Sequence, residues 1–368
     1  MHTIKNTLTV DLSTYPYESI APLCDMLFID IETTGFTARS SSLYLIGCAY
    51  YKEERFHTIQ WFADNYQEEE LLLYHFFNFA QTYRHLIHYN GNLFDIPYLE
   101  AKCLQYDLPF NFNCMAGTDL YKRILPYKNI LRLSSLKQKA IEDFLGIERD
   151  DGYDGGQLVN IYHDYVSEPK EFSLQLMLLH NYEDLRGMIR IVPVLAYADI
   201  FNLPIKVEKA GKNKYTDADG VERSEILMEI RLPNALPVSI SYGWTDCYLL
   251  AHEKTAKLKI ALREGELKFF YPNYKEYYYL PSEDTAIHKS VAAYVDKGHR
   301  EPAKASNCYG KKSGVFLPEW EPLFAPVFRE NYHDKTMYFE LTDDFKKDSK
   351  KFTKYAEHIL QIMAHPIV

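Results

Sequence analysis

The sequence predicts an α/β protein: a mixed sheet flanked by helices, followed by a β-rich α+β domain. Three observations carry this. Three apolar, strand-like runs come first, and strand-like and helix-like runs then alternate, as in a sheet with helices on its faces. From about residue 201 the chain changes to short strand-like runs separated by turn residues. Its 368 residues exceed what one core ordinarily serves, so two domains, 1–200 and 201–368, are expected.

In chain order, MLFIDIE (26–32), SLYLIGCAYY (42–51) and RFHTIQWFA (55–63) are strands after a polar lead-in, and the short KEE between the last two suits a hairpin. QEEELLLYHFFNFAQTYR (67–84) has apolar residues at helical spacing, Leu71, Leu72, Phe76, Phe79 and Ala80, behind an acidic start that complements a helix N-terminus. HLIHYN (85–90) is a short strand that runs into a helix beginning in GNLFDIPYLEAKCLQY. GTDLYKRIL (117–125) and SSLKQKAIEDFLGI (134–147) are helices, the second with a serine cap and Gly146 as its stop. SLQLMLLHNYEDLRGMIRIVPVLAYADI (173–200) is a long helix kinked or broken at Pro193. Beyond it EILMEIRL, PVSISYG, CYLLAH, AKLKIAL, ELKFFY and YYYL are strands, and 284–298 and 343–364 are helices.

Composition narrows the function. An apolar content of 47% without an apolar run of about 18 residues argues for a soluble protein and against a membrane span. The N-terminus lacks a basic start followed by an apolar block, so no secretion signal is expected. Six scattered cysteines (24, 48, 103, 114, 247, 308) without a CxxC pair fit reduced thiols in a cytoplasm. The net charge of −10 is concentrated in residues 1–200, with 16 Lys and Arg against 27 Asp and Glu. That disfavours a generally basic nucleic-acid binder but leaves room for a nuclease, whose bound cations reverse the local sign.

The acidic residues fall into a pattern. In FIDIETTGF (28–36) Asp30 and Glu32 lie two apart on a strand, so they share a face while Ile29 and Ile31 take the other. Such a pair can share a hard cation such as Mg²⁺ or Mn²⁺; alone it fits an exposed strand end equally well. Thr33, Thr34 and Gly35 follow as a tight turn whose amides and hydroxyls suit a phosphate or sugar edge. In HYNGNLFDIPYL (88–99) Asn90 and Gly91 mark a turn, Phe94 and Tyr98 pack a helix start, and Asp95 is either a helix cap or a ligand. In HNYED (180–184) His180 and Asp184 share a helix face, as a surface polar pair or as a general base one turn from a ligand. Together the three motifs supply four carboxylates and one base, enough for two divalent cations about 4 Å apart that activate water and stabilise charge on phosphate.

DIETTG, YNGNLFDIPYL and HNYED resemble the three motifs of DEDD-type 3′→5′ exonucleases on the ribonuclease H-like fold. The middle motif is similar to that of the proofreading domain of family B DNA polymerases. EEELLLYHF, TDLYKRILPYKNILRLSSLKQKAIEDFLGI and the Asp-Gly segment leading to GGQLVNIYHDYV resemble the bacterial YprB-like group. The resemblance covers about residues 20–200. It implies Asp30, Glu32, Asp95 and Asp184 as metal ligands, His180 as base, and two Mg²⁺ or Mn²⁺ ions. It implies hydrolysis of terminal phosphodiester bonds of DNA or RNA, with a single-stranded 3′ end favoured. Histidine stands here at the spacing of the tyrosine type, YxxxD, and Leu179 holds the position that the histidine type, HxxxxD, would use. A structure-specific endonuclease on the same fold and a non-catalytic nucleic-acid-binding module are the alternatives. The protein partner is open, a helicase or a DNA repair factor being the candidates.

Other residues weigh less. Asp119 is a helix cap or a supporting carboxylate, Lys137 a capping or solvated residue, and His88 a core histidine. His288, His299 and Cys308 are too widely spaced for a zinc pattern. Between 285 and 315 basic residues gather near the aromatic YPNYKEYYYL, a combination suited to single-stranded nucleic acid or to an ordinary solvated face. Thr33, Thr34, Asn90, Phe94, Lys311 and Lys312 are therefore the candidate substrate contacts.

Overall fold

The computed structural model describes residues 1–153, 155–216 and 219–365, the side chain of Ala293 excepted. Two compact units divide the chain: Met1–Asp199 with Asn234–Ser239, and Ile200–Pro233 with Ile240–Val368.

The first unit is built on β1 (His2–Leu8), β2 (Met26–Thr33), β3 (Leu43–Lys52), β4 (Arg55–Phe62), α1 (Glu69–Ala80), β5 (His85–His88), α2 (Asp95–Gln105), β6 (Ala116–Asp119), α3 (Leu120–Ile124), α4 (Gln138–Leu145), α5 (Gly155–Ser167) and α6 (Glu171–Ile191). Its sheet has the order β1-β4-β3-β2-β5-β6. The pairs among β1, β4, β3 and β2 are antiparallel, and β5 and β6 extend the sheet in parallel. Strand alternation divides the core between the two faces. Leu27, Ile29, Ile31, Ile46 and Trp61 pack with Leu72 and Phe76 of α1 and Leu99 of α2. Tyr44, Leu45 and Phe62 pack on the other face with Tyr162 of α5 and Met177 of α6.

Several elements differ from expectation. The polar lead-in is an edge strand, β1, in which only Leu8 is buried, so no apolar alternation announces it. GTDLYKRIL is not one helix: Ala116–Asp119 pairs with β5, and the helix starts at Leu120 with Asp119 as its cap. In α1 the buried apolar set is Leu72, Leu73, Phe76, Phe77 and Ala80, whereas Leu71 is exposed. No serine side chain caps α4, although Gly146 does end it with φ 70°. Pro193 stands in a 3-10 turn between α6 and α7 (Leu195–Asn202), the break its ring demands.

The second unit holds β7 (Lys206–Thr216), β8 (Glu222–Arg231), β9 (Ile240–Trp244), β10 (Cys247–His252) and β11 (Thr255–Ala261) in one sheet, ordered β7-β8-β11-β10-β9. β12 (Arg263–Phe270), β16 (Tyr309–Glu319) and β17 (Met337–Glu340) form a second sheet, and β13 (Tyr277–Leu280), β14 (Thr285–His288) and β15 (Glu301–Pro302) a third. α8 (Asp343–Lys346) and α9 (Ser349–Ala364) fall where a helix was expected. The expected helix over 284–298 is absent. Thr285–His288 pairs instead with Tyr277–Leu280, and only short 3-10 turns follow, at Ala292–Tyr294 and Lys297–His299. The β-branched Thr285 and Ile287 suit the strand and outweigh the helical spacing of the residues after them. Among the described residues no helix is long and apolar enough to cross a membrane.

Candidate metal centre

β2 sets the site. Asp30 lies opposite Gly47 of β3, and Gly47 opposite Gln60 of β4, so the three form one row across the sheet. α6 crosses above this row. A methyl group on Gly47 would stand 2.0 Å from Asn181 Oδ1, so only glycine lets Asn181 descend there. Asn181 Nδ2 donates to Asp30 Oδ2 at 2.8 Å, and Asn181 Oδ1 accepts from Gln60 Nε2 at 2.9 Å. One buried amide thus ties α6 to the sheet and fixes Asp30. The register shifts between Glu32 and Thr33, a β-bulge at the place where the acidic face ends.

Asp95 is the first residue of α2 and is buried. The turn before it is held from below. Asn90 takes φ 61°, its N–H donates to Asp119 Oδ1 at 3.0 Å, and Gly91 N–H donates to His88 Nδ1 at 3.1 Å. Asp119 therefore both caps α3 and holds this turn. His88 is a buried supporting histidine.

α6 supplies His180 and Asp184 on one face. His180 Nε2 is 3.4 Å from Asp184 Oδ2 and 3.8 Å from Glu32 Oε1. Ligand atoms of Glu32, His180 and Asp184 all lie within 4.8 Å of one another, the one such group of His, Cys, Asp or Glu among the described residues. Two of the three sequence motifs, about 150 residues apart, are thereby brought into one place.

Two further residues arrive on the strap between α4 and α5. Asp151 Oδ2 accepts from His180 Nδ1 at 2.6 Å. Arg149 donates to both oxygens of Asp151 at 2.7 and 3.0 Å, to Glu142 at 3.1 Å, and pairs with Asp184 Oδ1 at 2.8 Å. Glu142, on α4, reaches this place because Gly187 of α6 leaves it room; a methyl group there would stand 1.9 Å from Glu142 Oε1. The Asp-Gly segment carries Asp151, but no periodicity or spacing marked it. Asp154 of that segment lies outside the described residues.

The electrostatics follow from burial. Desolvation raises the Asp30 carboxyl well above its ordinary range, and the charges of Asp184, Glu32 and Asp95 add to it. Glu32 is raised by burial and then by Asp184 and Asp95. Asp95 is pushed up to about 7 by burial, against the pull of the backbone amides of Asp95 and Ile31 and with the charges of Asp119 and Asp184 adding to it. Asp151 behaves oppositely. Burial opposes its ionisation, but the Arg149 hydrogen bond and charge, then His180, hold its carboxyl well below the usual range. Crowded oxygen donors with raised pKa values fit a hard divalent cation, whose charge offsets what burial and repulsion cost.

The remaining candidates are placed as follows. Thr33 Oγ1 donates to Gly35 O, and Thr34 Oγ1 accepts from Ser42 N–H, so both hydroxyls hold the 33–42 loop. At its tip Phe36 is 92% exposed and meets Phe94 edge-to-face at 6.1 Å, with the exposed Leu93 next in sequence to Phe94. Phe36 was in view in the sequence but not singled out. Lys311 and Lys312 lie in the second unit, ion-paired to Asp284 at 2.6 Å and to Glu340 at 2.5 Å respectively. Lys137 is exposed. His288 is hydrogen-bonded to Ser290, and among the described residues no metal group forms around it.

A sheet of this order with carboxylates on a central strand is that of a ribonuclease H-like domain. Residues 27–196 match the family model RNase_H_2, described as RNase_H superfamily, and the chain carries such a domain. No relative with a curated description matches the sequence. Among solved structures the chain is similar to the family B DNA polymerase of the hyperthermophilic archaeon Pyrobaculum calidifontis, at 13% identity and a TM-score of 0.40, over 49% of this chain and 26% of the polymerase. It is also similar to E. coli ExoI in a zinc-bound complex with single-stranded DNA, at 13% identity and a TM-score of 0.29, over 57% of this chain and 55% of the other. The chain thus spans about a quarter of the polymerase and about half of ExoI.

Proposed function

We propose that the first unit is a metal-dependent 3′→5′ exonuclease acting on DNA or RNA. The observation that carries this reading is the convergence of Glu32 and Asp184 with His180, with Asp30 and Asp95 close enough for their charges to be felt there. Its polarity rests on the resemblance of the three motifs to DEDD-type exonucleases. Asp30, Glu32, Asp95 and Asp184 would hold two Mg²⁺ or Mn²⁺ ions. Bound there, the ions would supply the positive charge that acidifies the attacking water and stabilises charge on the phosphate.

The chain's own groups divide the rest. His180 Nε2 takes the proton of the attacking water, since it faces the carboxylates while Nδ1 is engaged by Asp151. Asn181 keeps Asp30 in place. Phe94 and Phe36 offer apolar ring surface on which a terminal base can stack.

The test is hydrolysis of end-labelled single- and double-stranded DNA and RNA with Mg²⁺ or Mn²⁺. Wild type should release mononucleotides from the 3′ end and leave circular single strands intact. Asp30→Asn keeps the shape and an acceptor for Asn181, so it should fold normally. It should lose on the order of 10²–10³-fold in turnover, the size expected for one preorganised charge-stabilising group. Wild-type turnover in that variant refutes the assignment.

A further inference from the structure

We infer that Asp151 is a positioning residue for His180, held in place by Arg149 on a strap that the three exonuclease-like motifs do not include. The role rests on the nuclease reading above; the ring orientation it requires does not.

The geometry carries the inference. An ionised carboxylate only accepts hydrogen bonds, so the 2.6 Å contact puts the proton on His180 Nδ1. The neutral ring then keeps its lone pair on Nε2, the nitrogen that faces Asp184 and Glu32. A ring whose two nitrogens could exchange roles would spend part of its time with a proton where it must accept one.

Asp151 is itself held. Its side chain is 3% exposed, and that of His180 8%. The Arg149 fork grips both oxygens, and Lys139 Nζ approaches Oδ2 at 3.4 Å. Arg149 is anchored in turn by Glu142 and Asp184. The strap has a separate attachment: Glu183 accepts from Asp150 N–H, and Arg186 bonds Asp150 and the Glu148 carbonyl. With those contacts fixing the backbone, the Asp151–His180 bond is not needed to hold the strap down.

The experiment uses the full chain with Mg²⁺. Nitrogen-15 NMR of its histidine rings at mildly alkaline pH should show His180 as the Nδ1–H tautomer in wild type, and as the Nε2–H form in Asp151→Ala. An Nε2–H ring in wild type overturns the inference without recourse to any variant. In turnover assays Asp151→Ala should lower kcat about 10–100-fold while KM and Mn²⁺ affinity stay within about twofold, as for loss of a group that orients another. In a His180→Ala background the same substitution should cost nothing further. An equal second loss there would mean that Asp151 acts only through the strap, and would overturn the assignment. Absence of hydrolysis by wild type with the Nδ1–H ring intact would defeat the nuclease reading instead.

Discussion

Asp30, Glu32 and Asp95 ionise reluctantly because each carboxyl is desolvated beside like charges. Asp95 is the measurable case, at about 7 when folded against about 4 in an unfolded chain. A carboxyl raised on folding contributes stability that is complete below its unfolded pKa and lost as pH climbs through its folded one. Without metal, then, the first unit should weaken between about pH 4 and pH 7 on account of this group. Asp151 has the opposite sign, and its loss falls in strongly acid solution, outside that window. A divalent cation binds the ionised form, so Mn²⁺ should raise the melting temperature more at about pH 8 than at about pH 5.5. Equal increments at both, by differential scanning fluorimetry, would argue that these carboxylates are not ligands.

At the scale of elements, the meeting of α6 with the sheet decides the site. Gly47→Ala gains a little from a stiffer unfolded chain, about 0.4–1 kcal/mol. The clash outweighs it, because Asn181 is held by Gln60 and Asp30 and can retreat only by giving up those bonds. A net loss of about 1–3 kcal/mol is expected, read from the urea midpoint, with activity falling as α6 lifts from Asp30. The same junction explains what could be read in advance. Asp30, Glu32, His180 and Asp184 were legible because strand and helix periods assign faces to neighbours in sequence. Asn181 was not, since its partners Gln60 and Gly47 are over 100 residues away and nothing local pairs them. β1 and β7 were hidden by polar sequence, and residues 284–288 by helical spacing just beyond them. Asp151 was hidden because a strap without periodicity gives no face to infer.

For the whole molecule, the first unit is not a continuous stretch. Asn234–Ser239 belongs to it: Asn234 donates to Asp199 at 2.8 Å, and Tyr197 exchanges hydrogen bonds with Val238. Cutting the chain near residue 200 would remove those partners, so activity is best assayed on the full protein. Arg149 bears on how that protein should be handled. Set among Glu142, Asp151 and Asp184, its guanidinium is a covalently tethered counter-ion that no chelator can strip. EDTA should therefore silence hydrolysis while circular dichroism stays unchanged, and added Mn²⁺ should restore it within mixing time. A collapse of the near-ultraviolet signal on chelation would show that this internal electrolyte is too little to keep the acidic cluster together.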